Sequence, residues 1–582
     1  MLPKTGRGSL FVLGAWVVLG LAACKLGADD DSPVIEAETQ PLETVGPSTY
    51  LHVRVVDQAT GETLPAHLSL FDAKTAGWMC FGQYMEPGIG GQGKQAREVG
   101  TGGVLANWHG FSLWRGEGVI PVGERWFEPA PMSHNLFLPY GRYRLVADRG
   151  LEYELAETIV DLGAGKGVVW VEFRMRRVVD TSGYLGADLH VHQDPSDDST
   201  LPAESRLKSL VVAGVEVAVA ADHDFYTDLR PAARALWPAP HVSPPVATIV
   251  GDEVSASQAH FNVFPVVPVA GHPRQGAPEP MIEAPPAVAF QAMRQMARSV
   301  VIQANHPRAL DSGYFTLPAC GDFLPQSGGA LPACPLDFDA LEVLNGYYAC
   351  GSEILRTLTD WYALLRADRA LTATGSSDSH GVSRQRAGFP RTYVRVGTKE
   401  AEPEEPEELD VFDERVFVEA IRAHRVTVTT GPFVTLRAAG GEGEGDVVAA
   451  PKGRLAVTAR VQAPSWVPVS WLRLLVDGQV VKQLPVPARA GKPVDFTFTE
   501  TLELEEDAFV TAEAWGHKAM PYFLVGQWAE ILKDPAGKLL CPPLEGQEPG
   551  MATVGVTNPL FVDGDGDGKT FAGPVPILQD RP

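Results

Sequence analysis

The chain has 582 residues, of which 45% are hydrophobic, so it is long enough to form several domains with sizeable cores. Its 48 lysine and arginine residues against 72 acidic residues give a formal net charge of −24 at pH 7. An acidic chain repels a phosphate backbone, so we expect no nucleic acid among its partners, although a local basic pocket could hold a small phosphate.

The first 24 residues predict a lipoprotein signal peptide. Lys4 and Arg7 precede an uncharged run at 9–23, shorter than the roughly 20 residues of a membrane span and suited to a signal-peptide core. The run ends in Leu21-Ala-Ala-Cys24, which resembles the lipobox of bacterial lipoproteins; a chance cysteine after an ordinary signal peptide is the alternative. With Lys25 next, the resemblance implies an outer membrane lipoprotein, facing the periplasm or the cell surface and held to the membrane through lipid on Cys24.

Five more cysteines follow, without a close Cys-x-x-Cys pair, so a thiolate metal site is not expected. Export leads to oxidising conditions, in which Cys320 and Cys334 could form a bridge.

Composition and hydrophobic periodicity divide the rest of the chain, before residue 183 and after residue 435, into four segments. Residues 25–47 are acidic and contain three prolines, which is typical of a flexible linker. Residues 48–178 alternate with period two and resemble the small β-sandwich attached to carboxypeptidases. Residues 436–535 predict a second β-sandwich, and 536–582 form a Gly/Pro-rich tail.

Residues 183–435 alternate apolar strands with helices. We predict strands at 186–191, 215–221, 247–250, 300–304, 340–344 and 371–374, and helices at 203–213, 287–298 and 353–366. Such alternation indicates a parallel sheet or barrel. Two insertions interrupt it, at 309–336 and at the acidic stretch 399–410.

Histidines and carboxylates lie at or near the C-terminal ends of these strands. A spacing of two puts His190 and His192 on one face of a strand. Because the carboxyl ends of parallel barrel strands meet at one rim, we expect distant residues to share one pocket. The residues in question are His190, His192, His223, Glu253, His306, Asp378 and His380. Histidines outside such settings, His67 and His424 among them, are expected to be structural or incidental.

Imidazole and carboxylate groups without thiolates suit zinc, manganese or iron. Buried carboxylates would repel one another and protonate without cations, whereas with cations they become ligands. Two or three divalent ions would lower the pKa of a bound water to about 7 and hold the oxygens of the electrophile. The expected chemistry is therefore hydrolysis by a metal-bound hydroxide.

The same residues resemble a known family. Asp188-Leu-His-Val-His192, Ser196-Asp197, Ala221-Asp-His-Asp224, Asn305-His-Pro-Arg308 and Ser377-Asp-Ser-His380 resemble motifs of the PHP superfamily, named for polymerase and histidinol phosphatase. Residues 420–433 resemble the branch that includes carbaryl hydrolases. The resemblance implies an α/β fold in which a distorted (β/α)7 PHP barrel is flanked by the N-terminal and C-terminal β-sandwiches.

The resemblance also implies a ligand set, with Glu253 and Asp378 as bridging candidates. The implied metal ligands are His190, His192, Asp197, His223, Glu253, His260, His306, Asp378 and His380. The family has a serine after the second histidine and a glycine after the aspartate, whereas this chain has Gln193 and Asp198, so Asp194, Asp197 and Asp198 stay open as alternatives. Asp378 and Asp222 are the catalytic candidates, and Asp222 either orients an imidazole or accepts a backbone hydrogen bond.

Two arginines are candidates for substrate binding. Arg308 could bind a phosphate or carboxylate through two hydrogen bonds, or it could pair with Asp311. Arg384, just after His380, is a candidate of the same kind.

The tail contains Asp563, Asp565 and Asp567, spaced as at the start of an EF-hand loop, but Pro574 stands where the loop needs a glutamate. Either a weak calcium site or a plain acidic turn is expected there.

These patterns predict a metal-dependent hydrolase that acts on a small phosphoester or on a carbamate or ester. The alternative is a non-catalytic surface module in which a metal cluster is structural and the sandwiches bind glycan or protein. A proofreading nuclease is disfavoured by the acidic charge and the export signal.

Overall fold

The computed structural model describes residues 49–74, 97–99, 101–107, 110–123, 138–238, 245–310, 312–320, 334–382, 386–397, 412–450, 453–487, 491–521, 524, 543–568 and 570. The described chain is a mixed α/β structure, rich in sheet and with few helices. No helix among these residues is long and apolar enough to cross a bilayer. The predicted signal peptide with Cys24, the linker, Arg384 and the acidic stretch 399–410 lie outside the described residues.

Ten strands up to residue 175 form two sheets around one core. The strands are β1 (Thr49–Asp57), β2 (Ala66–Asp72), β3 (Arg97–Val99), β4 (Val104–Asn107), β5 (Gly110–Leu113), β6 (Glu117–Gly123), β7 (Leu138–Pro139), β8 (Gly141–Asp148), β9 (Ala156–Leu162) and β10 (Gly167–Met175). One sheet has the order β10-β1-β6-β7 and the other β3-β4-β5-β2-β8-β9. Alternation along β1 places Leu51, Val53 and Val55 in the core that both sheets share.

The middle of the chain contains all five α-helices of the described residues. Its elements are β11 (Tyr184–Val191), α1 (Ala203–Val212), β12 (Val217–Ala220), α2 (Arg230–Leu236), β13 (Ala247–Val250), β14 (Asp252–Ala256), β15 (Ala259–Phe264), α3 (Pro286–Gln295), β16 (Val301–Ala304), β17 (Ala340–Asn345), α4 (Gly351–Arg366), β18 (Thr372–Ser376), β19 (Arg391–Arg395), α5 (Glu414–Arg422) and β20 (Val426–Thr429). Short 3-10 turns occupy Pro273–Gly276, Tyr314–Thr316 and Pro318–Cys320. The predicted strands and helices are confirmed here, with boundaries that agree to within three residues.

The parallel arrangement expected for this region is only partly present. Parallel pairing joins β13, β12 and β11, and separately β16, β17 and β18. Antiparallel pairs interrupt it, because β14 and β15 form a hairpin and β19 pairs with β11 without a crossover helix. Isolated bridges at Val191–Ser379 and His223–Glu253 connect the two sheets at their strand ends, so the strands curl into a half-barrel around a common mouth.

The last nine strands correct the expectation of a separate C-terminal sandwich followed by a tail. They are β21 (Phe433–Ala438), β22 (Val447–Ala449), β23 (Arg454–Ala463), β24 (Trp471–Val476), β25 (Gln479–Pro485), β26 (Val494–Glu503), β27 (Ala508–Ala519), β28 (Ala552–Thr557) and β29 (Leu560–Asp563). Strand β28 lies between β20 and β27, so one eleven-stranded sheet runs from β13 to β25. Only β21, β23 and β26 form a sheet of their own.

The reason for this continuity is the apolar stretch inside the Gly/Pro-rich tail. Val554, Val556, Leu560, Phe561 and Val562 are completely buried. They belong to the same hydrophobic core as the middle region, so the expected boundary at 435/436 does not separate two cores.

The predicted bridge between Cys320 and Cys334 is present, with their Cα atoms 4.4 Å apart. Cys350 is also disulfide-bonded.

Candidate metal centre

The mouth of the half-barrel gathers residues that are far apart in the chain. His190 lies on β11 and His192 directly after its last residue, and we call these two the β11 histidines. Their ring centroids are 5.0 Å apart, and the His192 ring stacks on His380 at 3.9 Å. Neighbouring strand ends supply His223, Glu253, His260, His306 and Asp378. The predicted convergence at one rim is therefore observed for eight of the nine residues that the family resemblance implies as ligands.

Glu253 and Asp378 lie at the middle of this cluster. One Glu253 oxygen is 3.2 Å from Nε2 of both His190 and His192 and 3.3 Å from Nδ1 of His223. The other is 3.3 Å from Nδ1 of His260 and 3.4 Å from Nε2 of His306. An Asp378 oxygen is 3.3 Å and 3.2 Å from Nε2 of the two β11 histidines. Both carboxylates are thus placed to be shared between ions.

Three overlapping groups have ligand atoms within 4.8 Å of one another, and each could hold an ion. They are His190, His192, Glu253 and Asp378; His192, Asp198, His223 and His380; and His223, Glu253 and His260. The described residues can therefore bind more than one metal ion.

Unpartnered imidazole nitrogens show that the cluster suits cations. Nε2 of His190 and His192 and Nδ1 of His223 are buried, and they make no hydrogen bond of acceptable geometry within the described part of the chain. Each nevertheless lies 3.2–3.3 Å from a carboxylate oxygen. A lone pair facing a carboxylate is unfavourable unless a positive charge lies between them, so these nitrogens fit a metal.

In His190, His192 and His380, the Nδ1 atom faces a partner outside the cluster centre, which leaves Nε2 of each ring to face the centre. Nδ1 of His190 lies 3.1 Å from Glu342, and Nδ1 of His192 lies 3.0 Å from the Ser196 hydroxyl. Nδ1 of His380 donates to the Asp378 carbonyl at 2.9 Å. Such partners set the tautomer of a metal-binding histidine.

Glu342 is a residue that the sequence analysis missed. It is buried in β17, where it faces Nδ1 of His190 and accepts the backbone N–H of His306 at 2.7 Å and the Asn345 amide at 2.9 Å. The same amide reaches Asp378 at 3.2 Å. A signal was available, since Glu342 is the one acidic residue within an otherwise apolar predicted strand.

Asp198, and not Asp197, joins the histidines. An Asp198 oxygen lies 2.8 Å from Nε2 of His380 and 3.5 Å from Nε2 of His223. Asp197 and Asp194 belong to none of the ligand groups. The position implied by resemblance is therefore corrected by one residue. Asp198 lies in the loop between β11 and α1, where spacing does not fix which side chain turns inward.

Asp222 does not orient an imidazole in this structure. It accepts the backbone N–H of Gln193 at 2.5 Å, the Gln193 amide at 2.9 Å and the hydroxyl of Thr227. This is the backbone-capping alternative, and it explains how the chain tolerates Gln193 in place of serine. The catalytic role expected for Asp222 has no support from these contacts.

Arg308 also differs from its expected role. Its guanidinium forms two hydrogen bonds to Asp360, at 2.7 and 2.8 Å, and donates to the Phe315 carbonyl. Both members of the pair are buried, so Arg308 braces the insertion against α4 and is not presented to a substrate. Asp311, the partner expected as the alternative, lies outside the described residues.

Arg206 on α1 is a second residue missed from sequence. Fully buried, it donates to the carbonyls of His192 and Ser379, at 2.9 and 2.5 Å, and so ties the end of β11 to the loop that carries His380. Burial lowers the pKa of Arg206 to about 10.

The cluster perturbs the acidity of its own members. Burial alone would lower the pKa of His223, but the carboxylates of Glu253 and Asp198 raise it to about 10. Burial would raise the pKa of Glu253, and His190, His223 and His260 hold it well below its usual range. Burial and the nearby His192 lower the pKa of His380.

Two site residues take left-handed backbone conformations, with φ of 28° at His306 and 53° at Asp378. Such conformations cost about 1–3 kcal/mol each and persist where the surroundings fix them. Each lies two residues beyond a strand end at the mouth, His306 after β16 and Asp378 after β18.

The candidate calcium site near the C-terminus involves a different set of aspartates from the one expected. Asp507, Asp563 and Asp565 form the group whose oxygens lie close together, whereas Asp567 is not among them.

Comparison with known proteins gives little. No family model and no curated protein matches the chain. A solved structure of the lesion-specific endonuclease PfuEndoQ from Pyrococcus furiosus matches with 15% identity and a TM-score of 0.27, over 41% of this chain and 56% of that one. A TM-score this low does not establish a shared fold.

The expected exclusion of nucleic acid is corrected, since the matched structure is an endonuclease. The net charge of a whole chain does not describe the charge at one site.

Proposed function

We propose that this protein is a metal-dependent hydrolase whose active centre is the cluster at the half-barrel mouth. The observation that carries the proposal is a set of buried imidazole nitrogens 3.2–3.3 Å from oxygens of Glu253 and Asp378, which make no hydrogen bond of acceptable geometry among the described residues. Two or three divalent ions, of zinc, manganese or iron, would supply the Lewis acidity that lowers the pKa of water to about 7 and polarises the substrate oxygen.

The residues of this chain have distinct tasks in the proposal. Glu253 and Asp378 would be shared between ions, and the histidines would each be held to one ion. Glu342 and Ser196 hold the β11 histidines in the tautomer that presents Nε2. Asp198, with 47% of its side chain exposed, forms the outer edge, where a substrate arrives first.

The substrate class we propose is a small phosphoester, or a carbamate or ester, because activated water can attack either kind of bond. The motifs and the carbaryl-hydrolase-like stretch at 420–433 support membership of the PHP superfamily and a distorted (β/α)7 barrel over 183–435. The lipobox supports anchoring to the outer membrane through Cys24. A calcium ion near Asp563 stays a prediction, with Asp507 in the place of Asp567.

The test is reconstitution of the full chain. Metal is removed by chelation, zinc, manganese or iron is returned, and hydrolysis of a phosphate monoester, a phosphate diester, an aryl ester, an aryl carbamate and an oligonucleotide is measured. We expect one class to be hydrolysed by the wild type and by Asp197→Asn, but not by Asp378→Asn. Failure of every metal with every substrate would contradict the proposal.

A further inference from the structure

The outer face of the sheet β10-β1-β6-β7 exposes aromatic side chains. The strand register places Tyr50 beside Val168, and His52 beside Trp170, on this face. Trp170 is 67% exposed, Val168 48% and Tyr50 37%, whereas the alternate residues of β1 are fully buried. We call Tyr50, His52, Val168 and Trp170 the aromatic face. It lies on the N-terminal sheets, which have a core separate from that of the candidate metal centre.

The rings of the aromatic face are held in position. The His52 ring lies 3.7 Å from the Trp170 ring, measured between centroids, and the two planes are inclined by 33°. Nε2 of His52 lies 2.6 Å from a Glu117 oxygen, which anchors the imidazole from the neighbouring strand β6. Trp170 therefore has a fixed support on one side and keeps much of its surface open to solvent. Trp170, Val168 and Tyr50 together form a contiguous exposed apolar patch, which is the kind of surface that marks an interaction site.

The next row of the same face is charged but balanced. Arg54 lies between two acids, 3.3 Å from Glu172 and 4.0 Å from Glu117, and Arg174 lies 2.7 Å from Glu172. Two arginines and two glutamates cancel, so this row offers hydrogen-bonding groups without a net charge. This row therefore favours an uncharged partner over a phosphate-rich or strongly basic one.

We propose that the aromatic face binds a neutral saccharide chain. A pyranose ring combines an apolar C–H face, which packs on an indole or phenol ring, with hydroxyl groups around its edge. Trp170 and Tyr50 supply rings on diagonal positions of adjacent strands, and the row of Arg54, Glu117 and Glu172 supplies donors and acceptors beside them. Rings and polar groups that follow one another along adjacent strands suit an extended polymer, such as a β-1,4-linked glucan or chitin.

A membrane and a second copy of the chain are the competing occupants. Surfaces that dock on anionic bilayers carry an excess of lysine and arginine around their apolar residues, which the balanced row does not provide. The proposal does not depend on the metal centre, because binding is measured without turnover.

The experiment compares retention of the full chain on microcrystalline cellulose and chitin, and its retardation in gels containing soluble β-glucan or xylan. We expect the wild type to bind at least one of these probes, and Trp170→Ala to weaken that binding by about tenfold or more. Trp170→Phe is expected to restore part of it. Ile159→Ala, which removes an exposed apolar side chain from the other N-terminal sheet, is the matched control and is expected to bind like the wild type.

Three outcomes would overturn the proposal. The first is absence of binding to all four saccharides. The second is binding that Trp170→Ala does not weaken. The third is that Trp170→Ala leaves saccharide binding unchanged and instead abolishes either co-sedimentation with phosphatidylcholine vesicles or dimer formation in size-exclusion chromatography.

Discussion

The partners of the two ring nitrogens of His190 show how one imidazole is oriented as a metal ligand. Nδ1 faces the buried Glu342, and Nε2 faces Glu253 and Asp378. The sequence predicted the inward position of His190 because a period of two fixes the face of a strand. It could not predict Glu342 as the partner, because that contact depends on how β11 and β17 face each other across the mouth.

Replacement of Glu342 by glutamine tests this assignment. Three N–H groups, from His190, His306 and Asn345, approach the carboxylate, and an amide can accept on one side only. We expect metal affinity to fall by about 10- to 100-fold while the fold is kept. Competition with a chelator measures the metal affinity, and circular dichroism shows whether the fold is kept. Glu353→Gln on helix α4 is the control, and equal affinity for wild type and Glu342→Gln would refute the positioning role.

Asp198 and Asp197 form a natural pair for a second test. Asp198 contacts His380 and His223, whereas Asp197 is exposed and outside the ligand groups. Asp198→Asn is expected to reduce the number of bound ions or to weaken one of them, and Asp197→Asn to leave metal content unchanged. Elemental analysis measures the metal content of the two variants. A loss of metal in Asp197→Asn but not in Asp198→Asn would show that Asp197, the residue implied by the family resemblance, is the ligand.

At the scale of elements, the strands and helices of the middle region followed from hydrophobic periodicity, since each is bounded by turn residues and is long enough to show its period. The placement of β28 did not follow. Ala552–Thr557 is a short apolar stretch in a Gly/Pro-rich segment, and its partners β20 and β27 lie far away in the chain. Local composition indicated a tail, whereas burial between two strands determines its structure.

Deletion of the tail tests this placement. A chain that ends after residue 550 loses Val554, Val556, Leu560, Phe561 and Val562, all fully buried. At about 1.5–3 kcal/mol for each side chain, the five together contribute about 7.5–15 kcal/mol, which is as large as the 5–15 kcal/mol that stabilises a typical domain. We expect this chain to be insoluble and a chain that ends after residue 563 to fold. Equal solubility and equal thermal unfolding of both would show that β28 is dispensable.

At the scale of the whole molecule, the N-terminal core and the larger core are joined by a buried ionic contact. Arg386, in the loop that follows His380, donates two hydrogen bonds to Asp148 on β8, at 2.8 and 3.2 Å. His67 lies 3.3 Å from the same carboxylate. No sequence pattern indicates this link, because Arg386 belongs to the predicted barrel region, whereas Asp148 and His67 belong to the predicted N-terminal sandwich.

This contact predicts a dependence of stability on pH. Burial would raise the pKa of Asp148, but Arg386 and His67 hold it below its usual value of 3.8. A carboxyl group with a lowered pKa in the folded state stabilises the protein above its unfolded pKa, and this stabilisation is lost as the pH falls through the folded value. We therefore expect wild type to lose its advantage in thermal unfolding temperature over Asp148→Asn below about pH 4. A difference between the two proteins that does not change from pH 7 to pH 3 would contradict the ionic link.

Anomalous X-ray diffraction from crystals of the full chain, grown with zinc or manganese and measured at the absorption edge of that metal, tests the central claim most directly. The account predicts two or three anomalous peaks among His190, His192, Glu253 and Asp378 and their histidine neighbours, within bonding distance of Nε2 of the β11 pair. A fully metallated crystal without a peak between Glu253 and Asp378 would contradict it.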